Sequence, residues 1–203
     1  MQNNQEFDIT PVILTGEYVR LEPLSKDHVL DLLDAGSDPN IWEYMMYGNL
    51  SNKNAMESWV RMLLDLQKEG TDLPFAVILV SSGRAVGATR YLEIRPVHRG
   101  LEIGGTWYGT VYQRTVVNTE SKYLLLKHAF EQLGCVRVQF KTDLRNLRSQ
   151  KAIERLGAVK EGVLRQHMIT PSGYVRDSVY YSILDHEWAI IKKRLEAKLA
   201  SNR

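Results

Sequence analysis

Cysteine occurs once, at Cys135, which excludes an internal disulfide framework and any cysteine-rich metal site, and suits a reducing compartment. An excess of charge of one sign is also lacking. The 26 Lys and Arg stand against 24 Asp and Glu, spread along the chain for a formal net charge of +2. That balance gives no basic surplus for phosphate backbones, so no nucleic-acid partner is expected. The longest apolar run, Pro74 to Val80, falls far short of the roughly 20 residues of a membrane span. The polar start from Met1 to Glu6 has no charged-then-apolar secretory pattern. A cytoplasmic chain with no membrane partner is the expectation. His28, His98, His128, His167 and His186 show no metal-ligand spacing with carboxylates or Cys135, so no metal site is expected. Low-complexity segments, internal repeats and Pro/Gly/Ser-rich linkers are missing too. What remains is 203 residues, 44% hydrophobic and 25% charged, which is enough for one sizeable core in one domain. Residues 1–10 and 198–203 read as loose termini.

Apolar periodicity alternates between 2 and 3.6 residues along the chain, as in mixed α and β proteins. Strands are expected at Tyr18–Leu21, Phe75–Val80, Ala85–Ile94, Leu101–Tyr108, Val136–Lys141, Gly162–Ile169 and Tyr174–Leu184. Ser25 and Asp27 open a helical stretch with Val29, Leu30, Leu32 and Leu33 on one face, ended by Asp38-Pro39. Further helices are expected at Asn54–Lys68, at Val117–Leu133 with Gly134 as its C-terminal cap, at Ser149–Leu156 closed by Gly157, and after Leu184. An antiparallel run followed by a strand-helix-strand crossover implies a mixed α/β (α+β) fold. Its sheet is largely antiparallel, has about seven strands and carries helices on both faces.

The step from Tyr108 through the loop Gly109–Val116 into a helix near Val117 forms a candidate anion site. Free N–H groups and the positive dipole end at a helix N-terminus hold a phosphate whatever the side chains. At the end of the next strand stands Asn146-Leu-Arg-Ser149-Gln-Lys-Ala152-Ile153-Glu-Arg-Leu156-Gly157-Ala158. This resembles the second signature of the GNAT superfamily of N-acetyltransferases, in its RimJ/RimL-like branch. Glu102-Ile-Gly-Gly-Thr-Trp107-Tyr and Gln113-Arg-Thr-Val-Val-Asn-Thr-Glu120 resemble that branch's E-I-G-x-T-W-L strand and R-G-x-G-[IV]-N-T-E loop. The start Leu14–Leu24 and the segment Arg176-Asp177 to Trp188 resemble its opening and closing strands, so the likeness runs from about Leu14 to Trp188.

The resemblance implies an acetyl-CoA-dependent N-acetyltransferase with a GNAT-like sheet. Its acceptor is a protein N-terminal amine or a small-molecule amine. Carried over residue by residue, it places the donor at Trp107, Tyr108, Gln113, Arg114, Thr115, Val116, Val117, Asn118, Thr119, Asn146 and Ser149. Val116 and Asn118 depart from the small residues of the pyrophosphate loop, and a β-branched valine narrows both backbone angles and space. Ile153 stands where many members have a tyrosine acid, which leaves Ser149 or Asn146 to contact the leaving sulfur. The residues alone read as Asn146 starting a turn and Ser149 capping the helix.

Acetyl transfer needs a base, because α-amino groups titrate at roughly 7.7–8.0. Glu102, on the strand beside the donor, is the candidate, against a solvent-facing or arginine-paired strand glutamate. Trp42 and Tyr44, with Tyr47 and Trp59, fall in the region bordering the acceptor, or else are core aromatics. His167, on a late strand, is a further substrate contact. Two other classes fit the same residues: a GNAT-like module that binds acyl-CoA or a metabolite without turnover, and a protein-recognition fold using Trp42 to Tyr47. A sheet edge or the final helix offers a surface for a homodimer.

Overall fold

The computed structural model describes residue 7 and residues 9–201. Residues 1–6, 8, 202 and 203 of the expected loose termini lie outside the described residues. Phe7 and Ile9 pack against the core and the last helix runs to Ala200, so described structure extends further into both ends than expected.

The elements run β1 (Leu14–Thr15), β2 (Val19–Pro23), α1 (Val29–Ala35), α2 (Lys53–Lys68), β3 (Leu73–Leu79), β4 (Ala85–Arg95) and β5 (Gly100–Tyr108). They continue with α3 (Val116–Lys127), β6 (Arg137–Asp143), α4 (Leu147–Leu156), β7 (Val159–Ile169), β8 (Val175–Leu184) and α5 (Asp185–Ala200). The eight strands form one sheet ordered β1-β2-β3-β4-β5-β6-β8-β7. Every neighbouring pair is antiparallel except β5 and β6. The expected count of about seven is corrected to eight by β1, whose two residues are too few to show alternation.

β3 reads as a continuous apolar run because both faces of the sheet are covered. Leu73, Phe75 and Val77 face a core shared with α3, α4 and α5, whereas Ala76 and Ile78 face a second core under α1 and α2. Local chemistry sets the helix starts: Asn52 Oδ1 accepts the Ala55 N–H (2.9 Å) at α2, and Thr115 Oγ1 accepts the Val117 N–H (3.3 Å) at α3. The stretch after Ser25 begins as a 3-10 turn over Lys26–His28, and only then becomes α1. Leu30, expected on the apolar face, is 68% exposed, since Val29, Leu32 and Leu33 already fill that stripe. The expected helix Val117–Leu133 is α3 followed by a π turn over His128–Gln132, with Gly134 at φ +62° beyond it.

Glu120 fixes α3 against the start of the sheet. Its carboxylate accepts the backbone N–H groups of Glu17, Tyr18 and Val19 at 2.8, 2.7 and 2.6 Å. Among the described residues no helix is long and apolar enough to cross a membrane.

Candidate active site

The parallel pair β5 and β6 stays in register only over Gly100–Arg137, Leu101–Val138 and Glu102–Gln139. Beyond Glu102 and Gln139 the two strands pair no further, and their facing edges open as a wedge. A strand edge without a partner presents unpaired N–H and C=O groups to whatever enters. The cavity there measures about 670 Å³. β5 supplies one wall, Phe140 to Asp143 of β6 the other, and the starts of α3 and α4 close one end with Gln113, Arg114, Asn118, Asn146 and Ser149. Tyr44, Met45, Tyr47, Arg90, Met168 and Arg176 line the other parts.

At the helix end, Gln113 is a strut. Its Nε2 donates to the Tyr108 carbonyl (3.1 Å) and its Oε1 accepts from Arg148 Nη1 (2.7 Å), which ties the α3 loop to α4. Arg114 has φ +62°, in the left-handed region that suits glycine, and it occupies the first glycine position of the R-G-x-G pattern. Val116 instead opens α3 as an ordinary helical residue behind its Thr115 cap. The backbone demand therefore falls at Arg114, where expectation had put it at Val116. Thr115, Val116, Val117 and Thr119 are not among the lining residues, and Val117 and Thr119 are buried in the protein.

Asn146, rather than Ser149, caps α4. Its Oδ1 accepts the Ser149 N–H at 3.0 Å, which corrects the expected Ser149 cap and leaves the Ser149 hydroxyl without a partner among the described residues. Ser149 and Ile153 both line the cavity.

Glu102 is 2% exposed and sits where the wedge opens. It is neither solvent-facing nor arginine-paired: Oε2 accepts from Gln139 Nε2 (3.0 Å) and lies 3.6 Å from Lys141 Nζ. Burial raises its pKa above the usual carboxylate value, opposed by Lys141 and by the Gln139 hydrogen bond. A carboxylate in that state binds a proton more readily than a solvated one.

Lys122 was missed by sequence reasoning. It is 5% exposed on α3, lines the cavity and donates to the hydroxyls of Thr89 (2.9 Å) and Thr106. Burial without a carboxylate pulls its pKa down to about 7. The surrounding sequence, with Asn118, Glu120 and Lys127 on the same helix, gives no signal that this lysine is buried.

Trp107 and Tyr108 line the cavity, and the Trp107 ring packs 4.8 Å from Trp42 and 6.0 Å from Trp59. Trp42 does not line the cavity. It is buried, and its indole N–H donates to the Gly36 carbonyl (2.9 Å). Tyr44 does line it, under the Arg145 guanidinium at 5.7 Å. His167 also stays out of the cavity: its Nδ1 lies 3.0 Å from Ser178 Oγ and its ring meets Tyr180 edge-on. Gly105, at φ +57°, admits Tyr47, because a Cβ there would stand 2.5 Å from the Tyr47 hydroxyl. Among the described residues no group of three or more His, Cys, Asp or Glu is placed to hold a metal ion.

Residues 19–159 match the family model of the acetyltransferase (GNAT) domain. An uncharacterized N-acetyltransferase, p20, from Bacillus licheniformis is 26% identical over 153 residues, covering 75% of this chain and 85% of its own. The crystal structure of a GCN5-related N-acetyltransferase from Brucella melitensis superposes with a TM-score of 0.88 at 31% identity, over 94% of this chain and 86% of that one. RimL, a ribosomal L7/L12 α-N-protein acetyltransferase, shares the fold, with a TM-score of 0.75 at 17% identity over 87% of this chain and 96% of its own. With a family match that spans most of its length, this chain belongs to the GNAT acetyltransferases.

Proposed function

We propose that the wedge transfers an acetyl group from acetyl-CoA to a primary amine by direct attack in a ternary complex. The observation that carries this reading is the end of β5–β6 pairing at Glu102 and Gln139, which leaves a buried carboxylate beside two unpaired strand edges and two helix starts. Those parts suit the donor. Strand edges pair with an extended amide chain, while Arg114, Arg148 and the first turn of α3 at Asn118 suit its phosphates.

Acetyl-CoA, when bound, supplies an acyl carbonyl already activated as a thioester. The protein's own residues align, exclude water and move protons. The Trp107 and Tyr108 backbone orients the acyl end. Glu102 accepts the proton the amine must lose, directly or through a water, and its raised affinity for a proton suits it to that task near neutral pH. Lys122 is a second cavity group able to hold or release a proton near pH 7. Ser149, whose hydroxyl is uncommitted, donates toward the leaving sulfur in place of the tyrosine that Ile153 replaces. The acceptor is a protein N-terminal amine or a small-molecule amine. RimL, which shares this fold, is a ribosomal-protein α-N-acetyltransferase, so the fold can seat a protein α-amine.

The test is a melting curve with and without acetyl-CoA, followed by thiol release with an amine panel. Ligand at 100 times its dissociation constant adds about 2.7 kcal/mol, a rise of roughly 5–10 °C for a chain of this size. No rise with acetyl-CoA, other acyl-CoA esters or free CoA overturns the reading. A second reading, an acyl-CoA-binding module without turnover, is favoured by Ile153, which has no proton to give. It expects the melting rise with no thiol release for any amine.

A further inference from the structure

Three of the cations in the acceptor half of the wedge are matched by carboxylates. Arg90 pairs with Asp72 (2.9 Å), Lys141 with Glu102 (3.6 Å) and Arg145 with Asp143 (3.0 Å). Arg176, on β8, has no such partner. It is 5% exposed and lines the same cavity, and its side chain makes no hydrogen bond or ion pair with any described residue; its Nε is buried and unpaired.

Glu102 and Asp143 both act on Arg176 electrostatically, yet both are already committed. Asp143 accepts the Arg145 backbone N–H (2.8 Å) as well as its Nε (3.2 Å) and Nη2 (3.0 Å). Glu102 holds Gln139 and Lys141. A guanidinium removed from water without hydrogen bonds is costly, and its planar fork of donors matches a carboxylate in two-point contact. Lys122, another cavity cation without a carboxylate, is already bonded to the Thr89 and Thr106 hydroxyls, whereas the Arg176 guanidinium is uncommitted. Glu102 and Asp143 nearby oppose a second negative charge, so the position suits a monoanion better than a dianion such as phosphate.

We propose that Arg176 is the receptor for a carboxylate carried by the acceptor, so that the substrate bears both an amine, presented to Glu102, and a carboxylate. This rests on the acetyl-transfer reading above and narrows its acceptor class. Two sources carry that chemistry: the α-carboxylate of a free amino acid, and the acidic side chain of a peptide beginning with Asp or Glu.

The experiment compares kcat/KM for four acceptors: a free amino acid, its carboxamide, a peptide beginning with Asp, and the same peptide beginning with Asn. Melting curves with acetyl-CoA are taken in parallel. The carboxylate member of one pair is expected to be preferred about tenfold or more, the worth of one charge-assisted contact. Which pair shows the preference identifies the source. In Arg176→Gln the preference should collapse toward unity, and in Arg176→Lys it should be partly kept, as a KM effect. Should the glutamine variant fail to fold, the wild-type pairs decide alone. Equal rates within both pairs, or a preference that survives Arg176→Gln, overturn the carboxylate receptor while leaving acetyl transfer intact. No stabilisation by acetyl-CoA overturns both.

Discussion

Gln139 Nε2 lies 3.0 Å from Glu102 Oε2, at the last rung before β5 and β6 part. The same Gln139 accepts from Arg95 Nη2 through its Oε1 (2.8 Å), so the amide is held at both ends and the carboxylate cannot swing away from the opening. A proton acceptor held still where a cleft opens suits the role of base proposed for Glu102.

Glu102→Gln keeps the shape and removes the acceptor. It should lower kcat by about 100-fold or more, while acetyl-CoA still raises the melting midpoint. The base works deprotonated, so wild-type kcat/KM climbs with pH through the raised pKa of Glu102, and that inflection should vanish in the variant. A pH profile measures both. A variant within about threefold of wild type removes Glu102 from the chemistry.

Lys122 ties stability to pH in a direction that can be worked out. Its pKa is about 7 in the folded chain and about 10.4 unfolded. Between those values the unfolded chain binds more protons, so the burial penalty is fully present below about 7 and lifts as pH rises toward about 10. Lys122→Met removes the penalty, and Thr89 and Thr106 still bond each other at 2.8 Å. The variant should exceed wild type by roughly 1–3 kcal/mol near neutrality, with the gap shrinking by about pH 10. Urea titrations across that range check it; a gap that widens with pH sinks the argument.

The parts of the fold legible beforehand are those where burial and periodicity agree. β3 is apolar on both faces, and the stripe of Trp188, Ile191 and Leu195 on α5 is buried as its spacing implies. What stayed hidden depends on geometry that periodicity does not carry. Two-residue β1 has no alternation to show, and whether Asn146 or Ser149 caps α4 turns on which residue begins the helix, which is Leu147. Trp42 and Tyr44 look alike as nearby aromatics, yet one packs under Trp107 and the other reaches the cavity. The match of Glu102 to the wedge could be read from the motif around it. Lys122 and Arg176 could not, because a charge in sequence reads as solvated until the packing around it is known.

Arg114 offers a separable pair of effects. A non-glycine residue at φ +62° carries roughly 1–2 kcal/mol of strain, so Arg114→Gly should raise the melting midpoint by a few degrees, about 2–4 °C per kcal/mol. The same change removes a cation from the cavity wall beside α3. Affinity for acetyl-CoA should fall about three- to tenfold, with the loss larger at low salt. Calorimetry at two ionic strengths and a melting curve test the two halves. If the glycine variant binds acetyl-CoA as tightly as wild type, Arg114 is a backbone accident rather than a phosphate contact.

Asn146 and Ser149 divide capping from chemistry, and alanine at each should separate the two. Asn146 accepts the Ser149 N–H, so Asn146→Ala loses a helix cap worth about 1 kcal/mol and should melt about 2–4 °C lower. Ser149 is the third helical residue, its hydroxyl is uncommitted, and alanine is a better helix former there. Ser149→Ala should therefore melt no lower than wild type. Its cost should appear in turnover instead: a hydrogen bond to a developing thiolate is worth about 1.5–3 kcal/mol, or roughly 10- to 100-fold in rate. If Ser149→Ala melts early and turns over normally, the serine is structural. The leaving sulfur must then draw its proton from another group on the cavity wall, and Lys122, with a pKa of about 7, becomes the donor to test next.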